Sequence, residues 1–250
     1  MQQHANTEVL AIIPARGGSK SIPRKNIRNF AGHPLIAYSI AAGHSAQRIT
    51  RLIVSTDDDE IAEIARSYDA EVPFLRPPDL AEDMTPDLPV FQHALHWMEQ
   101  HEQYRPQIIV QLRPPTPLRS PTLIDDAVEA LLSRPDADCV RGVGAPEQTP
   151  YKMWLQGDDG FLKPLITYGG TESYNLPRQY FPDTYWHTGH IDVIRYDTLM
   201  RKHSMSGERI LPIVIEPLYC VDIDTEDEWV YAEWLVTSGK VPVIQPASKR

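Results

Sequence analysis

Two stretches near opposite ends of the chain carry residues suited to handling a polyanion. Residues 15–26 read Ala-Arg-Gly-Gly-Ser-Lys-Ser-Ile-Pro-Arg-Lys-Asn, with four cations (Arg16, Lys20, Arg24, Lys25) around the adjacent glycines Gly17 and Gly18. Glycines let the backbone turn tightly and present N–H groups, and the cations offer charge, so this is the composition of a triphosphate cradle, with Ser19 adding a hydrogen bond. It is neither a G-x-G-x-x-G nor a G-x-x-x-x-G-K-[ST] loop, because its glycines are neighbours. A solvated basic loop is the competing reading. The second stretch, residues 219–229, places Asp222 and Asp224 two positions apart after an apolar run. On a strand, a period of two turns both carboxylates to one face, where their hard oxygens suit Mg²⁺. A solvated strand end is the alternative there. Thr225 and Glu228 have the spacing of a capping box and read as the structural start of a last helix.

Both stretches need a frame. Residues 9–13 are a short, apolar, β-branched run closed by Pro14, which predicts a fully buried strand of a parallel sheet. A loop directly after such a strand lies at the carboxyl edge, where open α/β sheets bind ligands. Further strands are expected over 51–55, 70–75, 107–112, 137–143 and 210–215 and after Gly189, and helices over 34–45, 60–67, 88–101 and 120–132. The alternation predicts an α/β fold with right-handed crossovers. Thr56, Asp57 and Asp58 precede the second helix and are read as caps rather than metal ligands. Residues 151–165 carry a hairpin signal around Gly157-Asp158-Asp159-Gly160. With the aromatic, proline-rich run that follows, they make 145–185 a small excursion suited to a dimer arm. From Val241 the chain reads as a tail.

The 250 residues suit one domain with a sizeable core. A formal net charge of −10 excludes a nucleic-acid footprint, which needs a basic face, but permits a local cation cluster for a small anion. The two cysteines, Cys139 and Cys220, lie in apolar runs and read as free thiols. No run approaches the ~18 apolar residues of a membrane span, and the first residues lack a signal-peptide pattern. A soluble cytoplasmic protein with no membrane partner is expected.

The string A-R-G-G-S-K-x-x-P-x-K-N resembles the opening of the CMP-sugar-acid synthetases, cytidylyltransferases that activate sialic acid and related ulosonic acids. L-R-P-x-x-L-A at 75–81, P-L-R at 117–119, P-R-Q at 177–179 and D-I-D-T-E at 222–226 are similar to later motifs of that family, so the resemblance spans most of the chain. It implies a Rossmann-like, mostly parallel sheet flanked by helices, and a homodimer in which the 145–185 excursion closes the partner's site. It also implies CTP and a sugar acid as partners and Mg²⁺ as cofactor. By resemblance, Ala15, Arg16, Gly17, Ser19 and Asn26 bind the nucleotide, with Arg76 near the cytosine and ribose. Arg16, Lys20 and Lys25 stabilise the triphosphate and departing pyrophosphate, and Asp222 and Asp224 hold the metal. Arg113, Arg178 and Gln179 bind the acceptor, Arg178 gripping its carboxylate.

Two departures bear on the acceptor. Arg113 stands where sialic-acid enzymes have a glutamine, and Trp186 and Thr188 replace an arginine and an asparagine. A cation at 113 suits an acceptor with another acidic or acyl group, so legionaminic, pseudaminic and Kdo-like acids and phosphonates stand beside sialic acid. Another NTP, or a non-catalytic nucleotide-binding homologue, are the remaining alternatives. The missing G-x-G-x-x-G disfavours an NAD-dependent oxidoreductase. His187 and His190 read as hydrogen-bonded structural groups rather than as base or ligand.

Overall fold

Val9, Ala11 and Ile13 enter one apolar cluster, and Leu10 and Ile12 enter another. A strand buried on both faces requires helices on both sides. The computed structural model, which describes residues 7–170 and 172–248, provides them. In chain order the elements are β1 (Val9–Pro14), β2 (Asn29–Phe30), β3 (His33–Pro34), α1 (Leu35–Ser45), β4 (Arg51–Ser55), α2 (Asp59–Ser67), α3 (Asp87–Glu102) and β5 (Ile108–Gln111). Then follow α4 (Leu123–Leu132), β6 (Cys139–Gly144), β7 (Trp154–Gln156), β8 (Leu162–Pro164), β9 (Trp186–Arg195), α5 (Tyr196–Met200), β10 (Ile210–Val214) and α6 (Glu226–Thr237).

Six strands form the central sheet in the order β10-β6-β9-β5-β1-β4. All run parallel except β9, which is antiparallel to both its neighbours, β5 and β6. The reason is topological. The chain leaves β6 at the carboxyl edge, stays there through residues 145–185, and re-enters from that same edge, so the returning strand must run the other way. Helices α1, α2, α4 and α6 pack on one face of the sheet, and α3 and α5 cover the other.

Local signals place most boundaries. Asp58 caps α2, its Oδ1 accepting from the Ile61 N–H at 3.0 Å. Thr225 and Glu228 form the reciprocal capping box of α6. The Gly157–Gly160 turn joins β7 to β8 as an antiparallel hairpin, with the Gly157 N–H donating to Phe161 O. Both cysteines are free thiols.

Three expectations change. Residues 70–75 form no ladder strand; they touch the β4 edge only through isolated bridges at Ile53–Glu71 and Thr56–Leu75. Pro73 lies between the two contacts and has no N–H to donate, which breaks the ladder. Asp222 and Asp224 lie on an irregular segment rather than a strand, although burial still alternates, with Val221 and Ile223 buried and the two aspartates more open. The C-terminal stretch is no loose tail. Val241 is buried in the main core, and the Tyr219 hydroxyl donates to Pro242 O at 3.1 Å.

Phe91 is fully buried on α3 against the β1–β5 face of the sheet. Phe91→Ala should cost ~3–5 kcal/mol in denaturant unfolding, since a cavity of that size collapses only partly; a loss under ~1 kcal/mol would show that this face is loosely packed. A second outcome concerns acid. The Asp58 carboxylate is held below the ordinary range, chiefly by its hydrogen bonds from Arg24. A carboxylate whose pKa is depressed in the folded state contributes stability above its unfolded pKa and loses it as pH falls through the folded one. Asp58→Asn keeps a capping oxygen but removes the charge, so it should flatten part of the stability decline below about pH 4, by ~1 kcal/mol or less for so solvated a pair. Parallel urea titrations at pH 7 and pH 3 measure this.

Candidate active site

The carboxyl edge of the sheet collects the loops after β1, β4 and β5 and the start of β9. Each loop is tied to its neighbour by hydrogen bonds. The Ala15 N–H donates to Ser55 O at 3.0 Å, continuing the β1–β4 register for one residue. The Gly17 N–H donates to Asp57 Oδ1 at 3.0 Å, and a Cβ at position 17 would lie 2.6 Å from Asp58 Oδ2, so any larger residue would have to displace that carboxylate from Arg24. Arg24 sits in the left-handed region at φ 55°. Its guanidinium holds Asp58, with Nη2 3.0 Å from Oδ1, and reaches Glu60 as well. Asn26 closes the loop from within, its Nδ2 donating to Arg16 O at 3.0 Å.

Lys25 makes the longest connection. It is nearly buried, and its Nζ donates to Ile223 O at 2.7 Å and to Asp224 Oδ1 at 3.0 Å. The Ile223 N–H in turn donates to Pro115 O at 2.8 Å. The ammonium thereby docks the aspartate segment onto the first loop, and the backbone bond docks it onto the turn after β5.

Between these loops lies a cleft of about 460 Å³. Its walls bring together Arg16, Ser19, Lys20, Lys25, Asn26, Arg76, Arg113 and Asp224. Ala15 is buried beneath the loop, and Gly17 faces Asp57 and Asp58 rather than the opening. Arg76 is buried and donates to Ser55 Oγ at 3.2 Å, to Ser55 O and to Leu80 O; burial pushes its pKa below the usual arginine range. Asp222 stands just behind the lining. Burial raises its pKa, the Asp224 carboxylate adds to that, and Lys25 and Arg113 oppose it. Two carboxylates that repel each other at the rim of a cation-lined cleft are a donor set suited to a hard divalent ion. Among the described residues no cluster of three or more His, Cys, Asp or Glu is disposed around a metal, so such an ion would draw on the Asp222–Asp224 pair.

Arg178 and Gln179 are not brought to this cleft within one chain. They line a second cavity, of about 500 Å³, with Thr149, Phe181 and Tyr185, and the Arg178 guanidinium donates to Pro146 O (2.9 Å) and Glu147 O (3.3 Å). The histidines behave structurally. His190 is fully buried between Tyr219 O (2.7 Å from Nε2) and Thr188 O (3.1 Å from Nδ1), and burial pushes its pKa down to about 4. His187 lies 3.4 Å from Asp192, which Arg141 already engages at 2.8 Å.

Three residues matter here that sequence reasoning did not single out. Asp83, from the 79–86 loop, pairs with both Arg16 (3.1 Å) and Lys20. Asp87 accepts from Arg113 Nη2 at 2.5 Å and Gln111 Nε2 at 3.0 Å. Arg119 is wholly buried and spends its guanidinium on neutral oxygens: His190 O at 2.9 Å, Arg113 O at 2.7 Å, Ser39 Oγ and Thr116 Oγ1 at 3.0 Å each. Burial lowers its pKa to about 9. Its place in the P-L-R string was a signal; the two aspartates, in a loop of many acids, offered none.

Comparison with known proteins agrees with this geometry. A family model described as Cytidylyltransferase matches residues 10–150. The chain is 31% identical to the CMP-N,N'-diacetyllegionaminic acid synthase of Legionella pneumophila over 91% of its own length and 96% of the relative's. It is 30% identical to post-translational flagellin modification protein B of Campylobacter coli, over 92% and 95% of the two chains. In fold it resembles the CTP complex of a CMP:2-keto-3-deoxy-manno-octonic acid synthetase, with a TM-score of 0.67 at 15% identity, covering 93% of this chain and all of that one. The chain belongs to the cytidylyltransferase family and is a nucleotidyltransferase.

Proposed function

We propose that this protein transfers CMP from CTP to the anomeric hydroxyl of a nine-carbon sialic-acid-like sugar acid, releasing pyrophosphate. The observation that carries the reading is the convergence, on one cleft, of the cation loop, the buried Arg76, Arg113 and the aspartate segment. Arg16, Lys20 and Lys25 neutralise the triphosphate and then the departing pyrophosphate; the loop amides and Ser19 orient it; Arg76 reads the base end. Asp222 and Asp224 would hold Mg²⁺, which supplies charge at the phosphate oxygens as the bond to the leaving group lengthens. The chain's own residues do little covalent chemistry; they place the acceptor in line with the α-phosphorus and compensate charge.

Relatives named for legionaminic, pseudaminic and N-acylneuraminic acids support the acceptor class, and Arg113 in the cleft wall favours an acid richer in acidic or acyl groups than plain sialic acid. The exposed apolar side chains of the excursion, among them Leu155, Phe161, Leu162 and Tyr180, support its use as an arm between two copies of the chain. In such a dimer Arg178 and Gln179 would serve the partner's cleft. No helix among the described residues is long and apolar enough to cross a membrane, and use of CTP favours the cytoplasm.

Pyrophosphate release with Mg²⁺, each NTP in turn and a panel of nonulosonic acids, with products weighed by mass spectrometry, tests the reading directly. A CMP adduct of one acid is the expected result, and release with another NTP in preference to CTP would overturn the nucleotide assignment. Asp222→Asn should abolish turnover while leaving the melting temperature within a few degrees; near-normal activity in that variant removes the pair from metal binding. Lys25→Ala should lower kcat by about 10²–10³, the scale of losing one preorganised charge at a transition state, and an unchanged kcat would take it out of the site.

A further inference from the structure

Arg16 and Lys20, two of the cations set to meet a triphosphate, already share one carboxylate of their own chain. Asp83 Oδ1 lies 3.1 Å from Arg16 Nη1, and Asp83 Oδ2 pairs with the Lys20 ammonium. The two cations belong to the loop after β1, whereas Asp83 belongs to the loop between Asp79 and Pro86, and both loops line the cleft. The contact therefore joins two walls of the cleft.

An exposed ion pair is ordinarily a weak surface contact. Three features set this one apart. Asp83 has no other hydrogen-bond or ionic partner among the described residues, whereas Asp58 also caps α2 and Asp87 also engages Gln111. Its carboxyl is held below the ordinary carboxylate range, chiefly by the hydrogen bond from Lys20, so it carries its charge at neutral pH. Arg16 Nη1 also donates to Glu82 O at 2.9 Å, so one nitrogen grips both the side chain and the backbone of the loop tip. The tip's other hydrogen bonds are local, joining Ala81 to Pro78 and Thr85 to Glu82 and Asp79. Met84, beside Asp83, is 90% exposed. Across the cleft, then, residues 81–85 are tied down by Arg16 and Lys20 alone among the described residues. Whatever takes those two cations also frees the tip.

We infer that Asp83 is an internal competitor of the triphosphate for Arg16 and Lys20. An incoming triphosphate displaces it, because several charged oxygens outbid one solvated carboxylate for the same donors. When pyrophosphate has been cut free, the carboxylate returns to the pair and lowers the hold on the product. Asp83 thereby gives up nucleotide affinity in exchange for faster product release, a step that limits turnover in many enzymes. This rests on the loop after β1 being the triphosphate site. Asp83 acts by exchange, without touching the ligand.

The test titrates the full chain with CTP, pyrophosphate and CMP at fixed Mg²⁺ by calorimetry. If the wild type binds neither CTP nor pyrophosphate, the nucleotide reading falls and this inference with it. Given binding, Asp83→Asn should tighten pyrophosphate and CTP about fivefold each, the scale of releasing two exposed ion pairs, and leave CMP within about twofold. Asp83→Glu keeps the charge and should stay within about twofold of the wild type. In a Lys20→Met background the gain from Asp83→Asn should fall to about twofold, since only Arg16 is left to be freed. Asp83→Ala serves if the asparagine variant does not fold, with the same expectation. Binding of pyrophosphate that is unchanged or weaker in the neutral variants overturns the inference and leaves the nucleotide reading standing. An equal gain in Asp83→Glu, or an equal gain for CMP, overturns it as well, because neither follows from competition for the two cations.

Discussion

A single ammonium holds the two halves of the site together. Lys25 and its partners Ile223 and Asp224 are separated by 198 and 199 positions along the chain. The first loop, which follows the central strand, and the aspartate segment, which precedes the last helix, meet at the edge through this bond, and the Arg28–Glu226 ion pair joins their flanks. The lysine is nearly buried, so its charge must be matched locally, and the carbonyl and carboxylate it meets do so. The consequence is mutual: the loop is pinned where a phosphate would lie, and Asp224 is set beside Asp222 despite their repulsion. Everything else at the edge is arranged around that bond, from the Asn26–Arg16 closure to the docking of Ile223 on Pro115.

What was legible in the sequence was local. The buried first strand, the Asp58 cap, the Thr225–Glu228 box and the Gly157–Gly160 hairpin each depend on residues a few positions apart, and each stands where the pattern put it. The loop with its cations likewise lies directly after the buried first strand, where the reading put it. What was not legible was long-range. The direction of β9 depends on where a 41-residue excursion begins and ends, not on anything within the strand. The stretch from Val241 looked like a tail because the partners of Val241, in the core beneath α6, and of Pro242, at Tyr219, lie elsewhere in the chain. Asp83 and Asp87 were two acids among many until the fold set them against Arg16, Lys20 and Arg113.

The cleft also shows how an acidic protein, with a formal charge of −10, keeps a cationic site. Its exposed cations are each met by a carboxylate from the opposite wall: Arg16 and Lys20 by Asp83, Arg113 by Asp87. The buried guanidiniums of Arg76 and Arg119 are treated differently and meet only hydroxyl and carbonyl oxygens. Charges in the first group are exchangeable, since an incoming anion can replace a solvated carboxylate at small cost. Those in the second are committed to architecture, because stripping a buried cation of its partners is expensive. Arg119 bridges the two groups: by fixing the Arg113 carbonyl it turns one cation's burial into another's aim.

The same-edge exit and return of the chain between β6 and β9 has a consequence for how this architecture can diversify. Because the intervening 41 residues begin and end beside each other, they behave as a cassette whose length and composition can change without rethreading any strand of the sheet; ring closure grows only slowly more costly with length. The nucleotide end of the cleft is built from loops on the fixed frame, whereas the aromatic, mostly solvent-facing cassette is free to vary. A lineage could thereby acquire new acceptors or new quaternary partners by exchanging one contiguous stretch of gene, while the machinery that grips a nucleoside triphosphate stays under separate, slower selection.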